Sequence, residues 1–366
     1  EYALGARCAN IALQILEKTN GNYYAGSVQA MVTMYSYHYR LPTEDLIKNF
    51  DKGYRVSMSA GDFETGMAHL QGRCFALYHD GYELHSLADA VQSILNHFRV
   101  YRVVSVRGMA DSFFLLTQYL TGTVPIDWEA LEQQSWRDLK TDMPEPSEIY
   151  EVKPFYFTSA SIATYFRKFN LAHRLTRLFQ KIGPKSELFI LSSMGRLLLG
   201  ITSAAMYRQT KKAKYRRAVS KQVAAFRSII DNMGDTLLTM TLLLEAEHMS
   251  LAEQGKTFKP VIAVKDAYDK AIRYAQDSGN KHFVALGCEL AAEYLHATKE
   301  QLLNQSNSKF EVSIPTAHVL SSDTVSDYMT KAVRHYDEWG CQPKVKDMQD
   351  RRSQYLKEFV PNSKRR

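Results

Sequence analysis

The nearest approach to a nucleotide site in this sequence is Gly183-Pro184-Lys185-Ser186. Loops that hold nucleotide phosphates follow the pattern G-x-x-x-x-G-K-[ST] and wrap the phosphates with backbone N–H groups. Pro184 removes one of the N–H donors that such a loop needs. The segment is typical of a turn between two helices, so the sequence predicts no nucleotide cofactor.

His79-Asp80 could belong to a metal site. Phosphohydrolases of the HD type hold divalent metals with such a dyad and with histidines from several helices. Further ligands of that kind would be His38, His69, His85 and His97. His79-Asp80-Gly81 also lies where a turn between repeats is expected, and solvent-facing residues at a helix end explain it equally. We therefore predict no metal and no catalytic residue, and keep a metal-dependent phosphohydrolase as an alternative.

A run of cations without any acid lies in the middle of the chain. Its members are Arg208, Lys211, Lys212, Lys214, Arg216, Arg217 and Lys221. Such a run can bind nucleic-acid phosphates or an anionic membrane surface, and Tyr207 and Tyr215 could stack on bases. Tyr215 also begins an apolar helical stripe, which turns most of the cations outward. The simplest interpretation is a solvated or acid-paired face, with nucleic-acid binding as an alternative. We retain the first six cations as candidate contacts with a protein partner.

Residues 127–151 supply an acidic counterpart to this run. They contain Asp127, Glu129, Glu132, Asp138, Asp142, Glu145, Glu148 and Glu151. Pairing of the two segments within the chain is a hypothesis that the charge pattern suggests.

Five tyrosines lie close together near the start of the chain: Tyr23, Tyr24, Tyr35, Tyr37 and Tyr39. They cover more than one face of a helix, so some rings must reach the surface or an inner groove. Aromatic rings in a groove are common binding hot spots, whereas core packing is the competing interpretation. Tyr35 and Tyr39 are retained as candidate partner contacts.

Composition describes an ordered protein of ordinary character. The chain has 366 residues, 45% hydrophobic and 23% charged, with a net charge of +7. Its four scattered cysteines show no metal-binding spacing and are expected to be reduced thiols in the cytoplasm. The longest apolar run, Leu188 to Met206, carries Arg196 at its centre and is predicted to be a buried helix rather than a membrane span. Because Glu1 already starts a helical pattern without a signal peptide, we expect a segment of a longer polypeptide.

A repeated phrase indicates how these residues are positioned. Lys52, Lys270 and Lys331 each lie nine positions before a glycine, and Gly279 is followed by an asparagine as Gly61 is by an aspartate. The glycines of the phrase are Gly21 (the faintest copy), Gly61, Gly279 and Gly340. Glycine closes a helix in the left-handed conformation, and Asn or Asp next to it caps the following helix. The first two glycines lie 40 residues apart, the length of a helical hairpin with its turns, which predicts an all-α solenoid.

Apolar periodicity predicts helices over 22–39, 43–59, 62–79 and 84–99, and the segment 100–106 is interpreted as a helix start rather than a strand. Residues 141–154 contain three prolines among acids and are predicted to be non-helical. They divide the chain into N-terminal repeats (1–140) and C-terminal repeats (155–366). Residues 304–323 show no stripe and are predicted to be a loop insertion.

With these residues laid out, the chain resembles the tetratricopeptide-like helical arm of STAND-type predicted ATPases, in particular those of multidomain sensor kinases. The matching phrases are Leu243–Glu247, Ala267–Ile272, Glu289–Ala292, Ala332–Tyr336 and Trp339–Cys341. Cys341 stands where the family usually has alanine. The resemblance implies a right-handed superhelical stack of antiparallel hairpins, with an ATPase or kinase core elsewhere in the polypeptide. It names no ligand.

The sequence therefore favours a non-catalytic scaffold or sensor arm. Its partners are expected to be another protein, flanking domains of the same polypeptide or a small effector, without a membrane and with nucleic acid less favoured. An open stack whose repeats contact only their neighbours would suit this task, because a ligand in its groove could shift the orientation of its ends.

Overall fold

Helical periodicity and glycine turns determine the secondary structure. The structure, a computed structural model, describes residues 2–19, 21–137, 144–145, 148–182, 190–251, 261–304 and 314–356. Every regular element in those residues is helical, which confirms the predicted all-α class. The α-helices are α1 (Tyr2–Thr19), α2 (Ala25–Tyr35), α3 (Thr43–Ser59), α4 (Phe63–His79), α5 (Leu84–Tyr101), α6 (Arg107–Thr121), α7 (Trp128–Gln134), α8 (Ile149–Tyr165), α9 (Phe169–Lys181), α10 (Ile190–Thr210), α11 (Ala213–Met233), α12 (Leu238–Met249), α13 (Val261–Asp277), α14 (Lys281–Asn304), α15 (Ile314–Val319), α16 (Ser322–Trp339) and α17 (Gln342–Arg351).

Three of the four glycines of the repeated phrase share one turn geometry. Gly61, Gly279 and Gly340 have φ angles of 75°, 74° and 93°, in the left-handed region that favours glycine. In each turn the N–H after the glycine donates to the carbonyl five residues earlier, at 2.9 Å. Asp62 then caps α4 by accepting from the N–H of Thr65. The fourth, Gly21, follows α1 and donates its N–H to Leu16.

Several predicted boundaries are wrong. The helix predicted over 22–39 is divided, because 3-10 turns at Asn22–Tyr24 and Tyr37–Tyr39 flank α2. The helix start predicted over 100–106 is instead the end of α5 and a turn, since Arg102 adopts a left-handed φ of 55°. Pro154 was expected to exclude helix but lies inside α8, where its missing N–H removes one i→i−4 hydrogen bond without ending the helix. Within the predicted insertion at 304–323, α15 is a short helix and α16 begins at 322; residues 305–313 lie outside the described residues.

The helices pack against their neighbours in sequence order, as in an α-solenoid. They also differ in burial: α4, α8, α10, α12 and α14 are buried on nearly all sides, whereas α3, α5, α9, α11, α13 and α16 bury one face. A helix that is apolar all round must be enclosed by protein, while an amphipathic helix belongs at the surface. We call the first set the inner helices and the second set the outer helices.

The turn after α4 lies against the C-terminal third of the chain. The side-chain amide of Asn280 donates to the carbonyl oxygen and to Oδ1 of Asp80, each at 3.1 Å. The indole N–H of Trp339 donates to the carbonyl of Tyr82 at 3.0 Å. Gly81, at φ 74°, approaches His282 so closely that a Cβ would overlap the imidazole ring. We call residues 80–82 the junction turn.

An aromatic cluster fills the space behind the junction turn. Tyr78 is fully buried and its ring packs against rings from α6, α8, α14 and α16. These rings belong to Phe113, Phe157, His282 and Trp339. One continuous apolar core extends from Ala6 to Leu356. The prediction that repeats contact only their neighbours is therefore wrong, because inner helices from both ends of the chain meet.

A buried ionic network fixes the last helix. The ammonium group of Lys344 is fully buried and lies 2.8 Å from Glu289, which also accepts from the hydroxyl of Tyr336 at 3.0 Å. The guanidinium of Arg351 contacts the same carboxylate at 2.9 Å and Asp347 at 3.0 Å. Each buried charge has several partners, which is the condition under which such groups are tolerated. The network attaches α17 to α14 and α16.

Because Trp339 contacts the junction turn and Trp136 does not, replacing each tryptophan by phenylalanine should destabilise the protein to different degrees. Trp339→Phe is expected to lower the free energy of unfolding by about 1–3 kcal/mol, because it leaves the carbonyl of Tyr82 without its donor. Trp136→Phe, at an exposed tryptophan, should change it by less than about 0.5 kcal/mol. Urea denaturation followed by circular dichroism measures both. Equal effects would show that the junction contact does not contribute to stability.

Candidate functional site

The predicted basic run divides into one structural residue and several exposed ones. Arg208, near the end of α10, donates to the carboxylate of Glu247 at 2.9 Å and also to the hydroxyl of Ser250. Glu247 is fully buried and accepts a second hydrogen bond from the hydroxyl of Tyr268. A buried carboxylate requires this compensation. Arg208 was predicted as a partner contact, but it holds α10 to α12.

The other predicted cations face solvent around the turn between α10 and α11. Lys211 adopts a left-handed φ of 56° and Lys212 precedes the first turn of α11. Lys214, Arg216 and Arg217 are exposed along α11. None of these five forms an ion pair with another residue that the structure describes.

Helix α9 extends this charge. The imidazole of His173 on α9 packs edge-on against Tyr215 on α11, with ring centroids 5.2 Å apart. Burial and the nearby charges of Arg177 on α9 and Lys214 on α11 together lower the pKa of His173 to about 4. Cations of both helices therefore lie close to this imidazole. We call the exposed cations of the two helices and of the turn before α11 the basic surface. It comprises Arg177, Lys181, Lys211, Lys212, Lys214, Arg216, Arg217 and Lys221.

The basic surface belongs to a stretch that is almost free of acids. Residues 152–230 contain sixteen cations and one acid, Glu187, giving a formal charge of +15 against +7 for the whole chain. Among the described residues of this stretch, Arg167, Arg174, Arg208 and Arg227 pair with acids outside it. The charge of the basic surface is therefore left without such compensation.

Residues 127–151 were hypothesised to pair with the basic run, but the ion pair that the structure shows for this segment is with α9. Glu132 contacts Arg174 on α9, and the guanidinium of Arg174 also lies 4.2 Å from the ring centroid of Trp136. No described residue of the acidic segment pairs with the 208–221 run. Residues 138–143 and 146–147, which include two of the acids, lie outside the described residues, as does the phosphate-loop candidate at 183–186.

The tyrosines predicted as contacts lie in different environments. Tyr39 is 1% exposed and belongs to the core, so it is not available to a partner. Tyr35 is half-buried and lines an apolar cavity of about 460 Å³ between α1 and α2, with Tyr24, Val28 and Met31. Of the rings beside the basic run, Tyr207 is buried, and Tyr215 is half-buried beside His173.

The His79-Asp80 pair performs a structural task. Asp80 belongs to the junction turn and accepts from the hydroxyl of Thr43 and from Asn280. In the described residues no three His, Cys, Asp or Glu side chains lie close enough together to hold a metal ion. Glu83 caps α5 by accepting from the backbone N–H of His85, whose imidazole lies 2.7 Å from the same carboxylate, and the imidazole of His69 hydrogen-bonds the carbonyl of Gly26. The phosphohydrolase alternative therefore has no ligand set in this part of the chain.

Three histidines lie around the junction turn: His38 and His282 are buried, and His79 is half-buried. His38 and His79 line one cavity of about 10 Å³, room for no more than a water molecule. Burial, and in addition the charge of His79, lowers the pKa of His38 to about 3; burial lowers that of His79 to about 4. His282 is fully buried, and burial together with His79 holds its pKa well below the usual value. All three are neutral at physiological pH.

Sequence reasoning missed a charged groove between α13 and α16. Its volume is about 730 Å³, and Arg273, Lys331 and Arg334 line it. Lys331 belongs to the repeated phrase, and Arg273 and Arg334 each lie three residues after a lysine of that phrase. The signal that could have found the groove was this recurrence of Arg after the lysines at 270 and 331, since equal positions in stacked repeats lie on one surface.

Comparison with protein-family models, curated proteins and solved structures gives no match. In the part of the chain that the structure describes, none of the helices is both long and apolar enough to cross a bilayer. The charged surfaces are therefore the features of the molecule that bear on its function.

Because Arg208 pairs with a buried acid and Arg216 is exposed, replacing each by glutamine should change the free energy of unfolding by different amounts. Arg208→Gln is expected to lower the free energy of unfolding by about 3 kcal/mol, because the carboxylate of Glu247 stays buried without its cation. Arg216→Gln, at an exposed residue without an ion pair, should change it by less than about 0.5 kcal/mol. Denaturant unfolding of the two variants measures the difference. If Arg208→Gln were as harmless as its control, Arg208 would return to the set of free surface cations.

The buried histidines predict a loss of stability in mild acid. Unfolded histidines bind a proton near pH 6.5, whereas the folded His38 and His79 bind one only near pH 3–4. The contribution of these histidines to the free energy of unfolding is therefore fully present above pH 6.5. It decreases as the pH falls, by up to about 1.4 kcal/mol per pH unit for each histidine.

Unfolding measured between pH 7 and 5 tests this prediction. Glu83 and Glu293 affect stability only at lower pH. Burial would raise their pKa values, but hydrogen bonds to Glu83 and the arginines around Glu293 lower them to about 2. The variant His79→Gln removes one titrating group and should lose less stability between pH 6.5 and 5 than the unsubstituted protein. A flat profile in that range, or equal slopes, would contradict the account.

Proposed function

We propose that the chain is a non-catalytic helical-repeat scaffold that binds an acidic segment of a protein partner through the basic surface. The observation that carries the proposal is the set of eight exposed cations on α9, α11 and the turn between α10 and α11, in a stretch of +15 formal charge. Charge of one sign on one surface accelerates encounter with a partner of opposite charge and selects against other partners.

The aromatic residues favour a protein over a nucleic acid as this partner. Sites for single-stranded nucleic acid combine cations with exposed rings on which bases stack. Beside the basic surface Tyr207 is buried and Tyr215 packs against His173. Phosphates could still contact the cations, but the stacking that such sites use has no support from these two rings.

The wider setting follows from the sequence phrases alone. As their resemblance implies, the chain would be a tetratricopeptide-like arm, a right-handed stack of antiparallel hairpins, within a cytoplasmic signalling ATPase or sensor kinase. Binding of a partner, or of a small effector, would then bias the state of the catalytic domains. Because inner helices from both ends meet at the junction turn, the outer helices offer the surface on which a partner docks.

A charge-reversal experiment tests the proposal. The triple variant Lys214→Glu, Arg216→Glu, Arg217→Glu should lose binding to a labelled short polyglutamate peptide, by about tenfold or more, because three favourable charges become repulsive. The matched control reverses Lys52, Arg55 and Arg99, exposed cations of α3 and α5, with the same change in net charge. Fluorescence anisotropy at two salt concentrations measures binding, which should weaken with salt.

Polyuridylate RNA serves as the competing probe. Preference for the peptide, lost in the triple variant and kept in the control, supports the proposal. Tighter binding of the RNA through the same three cations would replace it with the nucleic-acid alternative. Equal loss in both variants would mean that only net charge matters, and no binding of either probe would overturn the basic surface as a docking site.

A further inference from the structure

The groove between α13 and α16 has walls with the same pattern of charge. Asp266 and Arg273 on α13 correspond to Asp327 and Arg334 on α16, each pair seven positions apart. Seven residues are close to two helical turns, so each pair lies on one face with about 10.5 Å between Cα positions. All four residues line the groove, whose floor includes Cys288 of α14.

Contacts between the walls set their relative register. The hydroxyl of Tyr328 donates to Asp269, and the ammonium group of Lys265 lies 5.8 Å from the ring centroid of Tyr328. The halves of α13 and α16 that carry the aspartates are therefore adjacent. At the other end, Arg273 and Gln276 of α13 line the groove together with Arg334 and His335 of α16. The halves that carry the arginines therefore face the same groove.

The groove is thus acidic at one end and basic at the other. Lys265 pairs with Asp269 at 2.7 Å, and the imidazole of His335 lies 3.1 Å from the carboxylate of Glu338. Asp266, Arg273, Asp327, Lys331 and Arg334 form no ion pair with any described residue. Both ends therefore carry charges that a ligand of complementary pattern could pair, inside a concavity of about 730 Å³.

We propose that this groove binds an extended segment of a partner protein that presents an acidic and a basic side chain three residues apart. In the polyproline II conformation residues i and i+3 lie on the same edge, about 9.3 Å apart, which matches the separation of the two charged ends. The acidic side chain lies between Arg273 and Arg334, and the basic side chain lies between Asp266 and Asp327. The inference rests on the proposed scaffold function and adds a second site to it.

The same residues argue against other occupants. A nucleic acid or a polyphosphate would bring anions to the end that carries Asp266 and Asp327, where they are repelled. An amphipathic helix needs an apolar groove, whereas charged residues dominate this lining. Burial raises the pKa of the Cys288 thiol to about 12, so the floor presents a neutral thiol and no thiolate nucleophile. The groove is suited to recognition.

The test uses synthetic peptides with a proline- and threonine-rich background. One peptide carries Glu and Lys three positions apart, and its control has the same composition with Glu and Lys adjacent. The first should bind at least about tenfold more tightly, because only it can pair both ends of the groove. The variant Arg273→Glu/Arg334→Glu should abolish that preference. The variant Arg216→Glu/Arg217→Glu, with the same change in net charge on the basic surface, should keep it. All four arginines are exposed, and circular dichroism checks that each variant folds.

The outcomes separate this site from the basic surface. Equal affinity for the two peptides, or no binding of the spaced peptide, overturns the groove proposal even if polyglutamate still binds through Arg216 and Arg217. Loss of the spaced peptide in both arginine variants also overturns it, because net charge would then explain the binding. Spaced-peptide binding that survives a failed polyglutamate test would leave the groove as the docking site and remove the basic surface.

Discussion

The junction turn is the constraint on which the rest of the structure depends. Two side chains from the C-terminal third, Asn280 and Trp339, satisfy backbone carbonyls of residues 80 and 82. Gly81 leaves no space for a Cβ against His282, so the approach is as close as the backbone allows. The contact joins inner helices from both ends of the chain around one core, with the ring of Tyr78 at the centre. A stack that would otherwise remain open is closed on itself.

Closure changes where binding can occur. In an open stack the inner helices present a groove to a ligand. Here the inner helices contact each other, and charged residues that they carry, such as Arg208, Glu247 and Glu289, are paired inside the protein. The basic surface and the groove of α13 and α16 both lie on the outer helices. Because the exposed faces of the outer helices do not pack in the core, the charged residues on them are available to contact partners.

Local features of the fold could be predicted from sequence, whereas long-range ones could not. The bounds of α3 and the turns at Gly61, Gly279 and Gly340 follow from apolar periodicity and glycine conformation, which depend on adjacent residues. The pairing of Asn280 with Asp80 joins residues 200 positions apart, and no sequence signal links them. The ion pair of Arg208 was missed for the same reason, since its partner Glu247 is distant in sequence. Arg273 and Arg334 recur at equal positions in the sequence, but their shared groove requires the packing of two helices.

The most direct measurement of closure is a double-mutant cycle between Asp80 and Asn280. Asp80→Ala, Asn280→Ala and the double variant are compared by their free energies of unfolding in urea. If the junction turn contacts the C-terminal third, the two substitutions should couple by about 0.5–3 kcal/mol, with the double variant less destabilised than the sum. Additive effects, within about 0.3 kcal/mol, would place the two residues apart and contradict the closed arrangement.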